Sequence, residues 1–200
     1  MTVLADIKVS VETCVKGQRL AELAMDSTLD MFRKGEEQLK ALLEIANDGG
    51  CITVAVDDKT VVGYAAFHHP SEVESWGEDR TGKLIELGAV EVSEHYRGQK
   101  IAERLLIETF NTGIFDSTIV FATMYFWHYD LKRTGLTDFA YKRLLEKLYR
   151  KAGMVPFATS DPEIKSSAAN MLMARVGPNT GAEVKAEFDR LRLRKVLELY

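Results

Sequence analysis

Cysteine is scarce in this chain: Cys14 and Cys51 are the only two among 200 residues. Neither stands at a spacing that suits a metal site or a redox pair, so the expectation is two free thiols in a reducing compartment. Histidine is almost as rare, and His68, His69, His95 and His128 form no pair with ligand spacing, which argues against a metal. Positive charge is not in excess either. A formal charge of −4 leaves no basic footprint and speaks against nucleic acid as the main partner. The apolar runs fall well short of a membrane span, and the opening MTVLADIKVS lacks the basic and apolar regions of a signal peptide. Repeats, linkers and low-complexity tracts are missing too. With 46% hydrophobic and 28% charged residues, the expectation is a single cytoplasmic globular domain over 1–200, without a membrane partner.

The most informative stretch runs from Lys83 to Phe110. Leu84–Val92 is an apolar run bounded by a turn signal, as in a strand buried on both faces. From about Gln99 onward, Ile101, Leu105, Leu106 and Phe110 recur with helical spacing. Between the two lies the polar turn Arg97-Gly98-Gln99-Lys100-Ile101-Ala102, with a flexible glycine where the helix begins. A helix start leaves unpaired N–H groups and a partial positive charge, which together attract an anion. A strand–turn–helix of this kind suits a pyrophosphate.

Elsewhere, alternation predicts a first strand over Ile7 to Val11, and apolar spacing predicts helices over Gly17 to Phe32 and Glu36 to Ala46. Cys51–Val56, an Asp57-Asp58-Lys59 turn and Thr60–Phe67 read as a β-hairpin. After a polar excursion over His68 to Gly82 and the central strand and helix, Thr118–Met124 reads as a buried strand. A helix over Thr137 to Ala152 has Phe139, Leu144, Leu145 and Leu148 as its apolar stripe. Strands over Met154–Thr159 and Ala169–Val176, separated by a polar loop over Asp161–Ser167, lead to a last helix over Gly181–Tyr200. Strands and helices alternate, so the class is α/β with a mixed central sheet flanked by helices.

Val92-x4-Arg97-Gly98-x2-Ile101-Ala102 resembles the acetyl-CoA signature of the Gcn5-related N-acetyltransferase (GNAT) family, Arg/Gln-x-x-Gly-x-Gly/Ala, with Lys100 at the first motif glycine. There a side chain either crowds a turn that needs positive φ or adds a point charge for a phosphate. The resemblance covers about residues 7–176 and leaves a C-terminal helical extension over about 180–200. Leu148-Tyr149-Arg150-Lys151-Ala152-Gly153-Met154 is similar to the family's Leu-Tyr-x-x-x-Gly-Phe ending. Trp127–Lys132, Phe157–Ile164, Ala169–Gly177 and Phe188–Arg192 resemble the bacterial acetoin-utilization acetyltransferases. That group acetylates the active-site lysine of AMP-forming acetyl-CoA synthetase and switches it off.

The resemblance implies acetyl-CoA as co-substrate. It implies pyrophosphate contacts from Arg97, Gly98, Gln99, Lys100, Ile101 and Ala102, and a backbone donor to the thioester oxygen between Val90 and Val92. Transfer to an amine also needs a base, and the central strand carries two carboxylates, Glu86 and Glu91. A carboxylate among core residues is costly unless paired or functional, so both are candidates. Family precedent favours Glu86, and Glu91 lies nearer the end where the thioester should rest. Tyr149 matches the position of the family's general acid. His128, between Trp127 and Tyr129 with Asp130 nearby, is a candidate for the substrate pocket. The run Arg190, Arg192, Arg194, Lys195 reads as a solvated helix face. Two other functions fit the residues: a small-amine N-acetyltransferase with a closed acidic pocket, and a non-catalytic CoA-binding regulator of the synthetase.

Overall fold

The computed structural model describes residues 9–194. Two compact units are present, each assembled from two stretches of chain: residues up to His68 with Ala89–Thr112, and His69–Gly88 with Gly113 onward. The expected positions Ile7, Lys195 and the end of the last helix lie outside the described residues.

The first unit contains β1 (Ser10–Glu12), α1 (Gly17–Leu20), β2 (Ala24–Met25), α2 (Gly35–Asn47), β3 (Cys51–Asp57) and β4 (Thr60–His68). The final residues of β5 (Leu84–Val92) and all of α3 (Ile101–Asn111) complete it. β1 and β4 flank β3 antiparallel, and β2 adds a short parallel pairing to β4. The β3–β4 hairpin is the one the sequence predicts, closed through Asp58 at φ +54°. Its inner face packs Ile52, Val54 and Tyr64 against Leu20, Leu29 and Leu42, all fully buried. Losing a side chain such as Leu42 from this cluster costs about 2–5 kcal/mol.

Two expectations fail here. The segment Gly17–Phe32 is not one helix: α1 ends at Leu20, and the chain turns into β2 and an irregular stretch. Asp26 explains part of this, because its carboxylate accepts from the Thr28 amide at 2.9 Å and from its hydroxyl at 2.7 Å. Such local bonds compete with helix. The cysteines are not free thiols: Cys14 and Cys51 form a disulfide, with Cα atoms 4.4 Å apart. Pairing of β1 with β3, extended by Val15 N–H to the Ile52 carbonyl at 2.8 Å, brings residues distant in sequence together.

The second unit holds the first residues of β5, then β6 (Ile119–Met124), α4 (Leu131–Thr134), α5 (Asp138–Lys151), β7 (Val155–Phe157), α6 (Pro162–Lys165), β8 (Met171–Val176) and α7 (Ala182–Arg192). β5 pairs parallel with β6, and β6 and β7 pair antiparallel with β8, a mixed arrangement. Trp76 stacks on Phe121 at 4.3 Å and on Phe188 at 5.5 Å, so the polar excursion before β5 is anchored on α7. Arg190 and Arg194 both reach Glu78, and Arg192 pairs with Asp189 and lies over the Phe157 ring. Arg190 and Arg192 are therefore braces within this unit, and Arg194 stays exposed, as expected of a solvated face. The α5 stripe also differs: Phe139 and Leu144 are about half exposed, at 54% and 50%, while Tyr149 is buried.

Candidate active site

The turn after β5 is shaped by two left-handed residues. Gly98 has φ +80°, with open space where a Cβ would lie, and Lys100 has φ +60° and ψ +20° as the N-cap of α3. A lysine held there sacrifices about 1–2 kcal/mol of backbone energy that glycine would not. No side chain caps the first turn of α3, so the amides at Ile101 and Ala102 keep their capacity to donate. Gly98 and the uncapped amides of α3 belong to one turn, and a helix start of this kind can bind an anion.

Several bonds fix the turn. Ser93 N–H donates to the Val62 carbonyl at 2.8 Å, and the Tyr96 hydroxyl donates to Asp57 at 2.6 Å, tying the turn to β4 and to the hairpin tip. The Thr28 hydroxyl lies 2.9 Å from Ser93 Oγ and accepts the Glu94 amide at 3.0 Å. Just before the turn, Val90 and Val92 are half-buried and Glu91 is buried. Glu91 Oε2 accepts the Tyr64 hydroxyl at 2.7 Å, and Oε1 accepts the Met31 amide at 2.9 Å. Burial pushes the Glu91 carboxyl above the usual carboxylate range, against the pull of these donors.

Glu86, His128 and Tyr149 belong to the other unit. Glu86 is half-buried on β5, in register with Phe121 of β6. Tyr149 is 6% exposed on α5, and burial pushes its hydroxyl well above the usual phenol range, helped by Tyr141 and Tyr129. The latter two rings stack at 4.8 Å, and the Tyr129 hydroxyl donates to the Ala169 carbonyl at 2.7 Å. His128 is exposed and lies edge-on to Tyr125 and Trp127, at 6.1 and 6.0 Å. The turn Arg97–Ala102 and Glu91 thus share a unit, and Glu86, His128 and Tyr149 share the other. Tyr64, Thr28 and Ser93 were not anticipated; the one available signal was a lone tyrosine amid the small apolar residues of β4.

The sequence pattern of the Acetyltransferase (GNAT) family matches residues 17–112, the stretch that contains the hairpin and the turn. The acetoin utilization protein AcuA of Bacillus licheniformis is 39% identical over 185 residues, 92% of this chain and 88% of that protein. Its namesake in Bacillus subtilis is 40% identical, over 91% and 87%. The crystal structure of an acetoin utilization protein from Exiguobacterium sibiricum is 41% identical, with a TM-score of 0.90 over 93% of this chain and 89% of that one. The chain belongs to the GNAT acetyltransferase family.

This acetyltransferase therefore has the GNAT fold, a mixed central sheet flanked by helices, and is an acetyl-CoA-dependent N-acetyltransferase. Among the described residues, no group of three or more His, Cys, Asp or Glu is arranged to hold a metal ion. No helix among them is long and apolar enough to cross a membrane.

Proposed function

We propose that this acetyltransferase modifies a lysine of AMP-forming acetyl-CoA synthetase, inactivating it. The observation that carries this is the near-full-length likeness to acetoin utilization proteins, 39% and 40% identical over about nine-tenths of the chain. When bound, acetyl-CoA supplies the acyl group as a thioester. The residues Arg97 to Ala102 hold its pyrophosphate, chiefly through main-chain amides, and the β5 backbone at Val90 and Val92 aligns the carbonyl. Glu86 takes the proton from the incoming ammonium. It suits that role better than Glu91, because Glu86 is only half-buried and both Glu91 oxygens are engaged away from solvent. Tyr149, whose burial favours the protonated form, is assigned the donation to the departing sulfur by the resemblance. His128 lines the path of the acceptor. Incubating the chain with the synthetase and labelled acetyl-CoA tests the proposal. Label on the active-site lysine with loss of synthetase activity supports it, and an unlabelled synthetase overturns it.

A further inference from the structure

Glu91 joins three stretches of chain. Its carboxylate accepts from the Tyr64 hydroxyl on β4, 27 residues away, and from the Met31 amide, 60 residues away. The residue is 4% exposed. Met31 and Asp30 belong to the irregular segment between β2 and α2, from Asp26 to Lys34. An irregular segment has no ladder of its own, so its position depends on the few bonds it makes. Here they are concentrated. Glu91 holds its second half, and Thr28 fastens its first half to Ser93 and Glu94. Both anchors flank Val92, at the end of the strand assigned above to thioester alignment.

We infer that Glu91 is a positioning residue: its carboxylate latches the Asp26–Lys34 segment onto the end of β5, so that this segment selects the acceptor amine. This rests on the transfer to an amine proposed above. The groups around the carboxylate fit a latch. The Tyr64 hydroxyl and the Met31 amide donate to it, and Asp30 adds a like charge. Arg33, which acts on the Tyr64 hydroxyl, sits on the latched segment itself. Two donors, one to each oxygen, satisfy a carboxylate that would otherwise be expensive to bury. Phe32, on the same segment, keeps 44% of its surface exposed and is available to an acceptor.

Glu91→Gln and Glu91→Ala separate the latch from a base. Glutamine keeps an oxygen for the Met31 amide and an NH2 that donates to the Tyr64 oxygen. A latch therefore predicts Glu91→Gln within roughly twofold of wild type in kcat and acceptor KM. It predicts Glu91→Ala with an acceptor KM raised roughly tenfold and an unchanged Kd for acetyl-CoA. A base predicts that kcat falls about 100-fold or more in both, with acceptor KM unmoved, and that result overturns the inference. Glu91→Gln alone decides this should Glu91→Ala not fold. Amide hydrogen exchange gives a second readout, independent of turnover. The latch requires faster exchange at Met31 in Glu91→Ala and wild-type protection in Glu91→Gln; unchanged protection in Glu91→Ala contradicts it. A wild-type enzyme that leaves the synthetase unlabelled would remove the acceptor assignment, and the exchange data would still decide the latch.

Discussion

Tyr64 donates its hydroxyl to Glu91 at 2.7 Å, and burial pushes the proton affinity of both groups up. For Glu91 the sign is the reverse of a surface carboxylate. Its contribution to stability is fully present below the ordinary value of 4.5 and is lost as pH rises through the raised folded value. Glu91→Gln cannot ionise, so its stability relative to wild type should climb as pH rises above the ordinary carboxylate value. Urea midpoints for the two proteins at several pH values check this, and parallel curves would contradict it.

Glu86 is assigned the proton-accepting role on exposure and place. Glu86→Gln should lower kcat by roughly 100-fold or more with little change in the Kd for acetyl-CoA, and should abolish the acid limb of the pH–rate profile. Retained activity with the limb intact would move the base elsewhere.

Lys100 occupies a left-handed position usually left to glycine. Two effects therefore separate on substitution. Lys100→Gly should raise stability by about 1 kcal/mol or less, because relief of the strained φ outweighs the added freedom of the unfolded chain. Lys100→Gly and Lys100→Gln should both weaken acetyl-CoA binding by roughly two- to fivefold through loss of one exposed charge. Thermal unfolding reads the first effect and titration calorimetry the second.

The disulfide closes a loop whose ends are 37 residues apart, β1 to β3. Chain-entropy arguments put its contribution at about 4 kcal/mol. Cys14→Ser with Cys51→Ser should lower stability by that order, as should reduction of the wild type, and thiol titration of the unreduced, denatured protein should find no free thiol. Two titratable thiols would contradict the pairing.

The sequence made the parts governed by local chemistry legible. The β3–β4 hairpin, α3 with its apolar repeat and the left-handed turn at Gly98 all lie where spacing and turn residues put them. What it could not reveal depends on partners far along the chain. Cys14 meets Cys51 only through the register of β1 on β3, and Glu91 meets Met31 only after the chain abandons a helix at Leu20. A two-residue period marks Glu91 as odd within an apolar strand but does not say which groups face it. Likewise the leucines of α5 have helical spacing, yet Leu144 stays half exposed while Tyr149 is covered.

Every role proposed for these residues depends on the turn from Arg97 to Ala102 gripping acetyl-CoA. Titration calorimetry of acetyl-CoA into wild type and Gly98→Val tests it most directly, because a β-branched side chain cannot easily hold the φ of +80° found there. Wild type should bind one-to-one, with an affinity lowered roughly tenfold or more in the variant. Absence of binding by wild type, or equal affinity in a folded Gly98→Val protein, would contradict it.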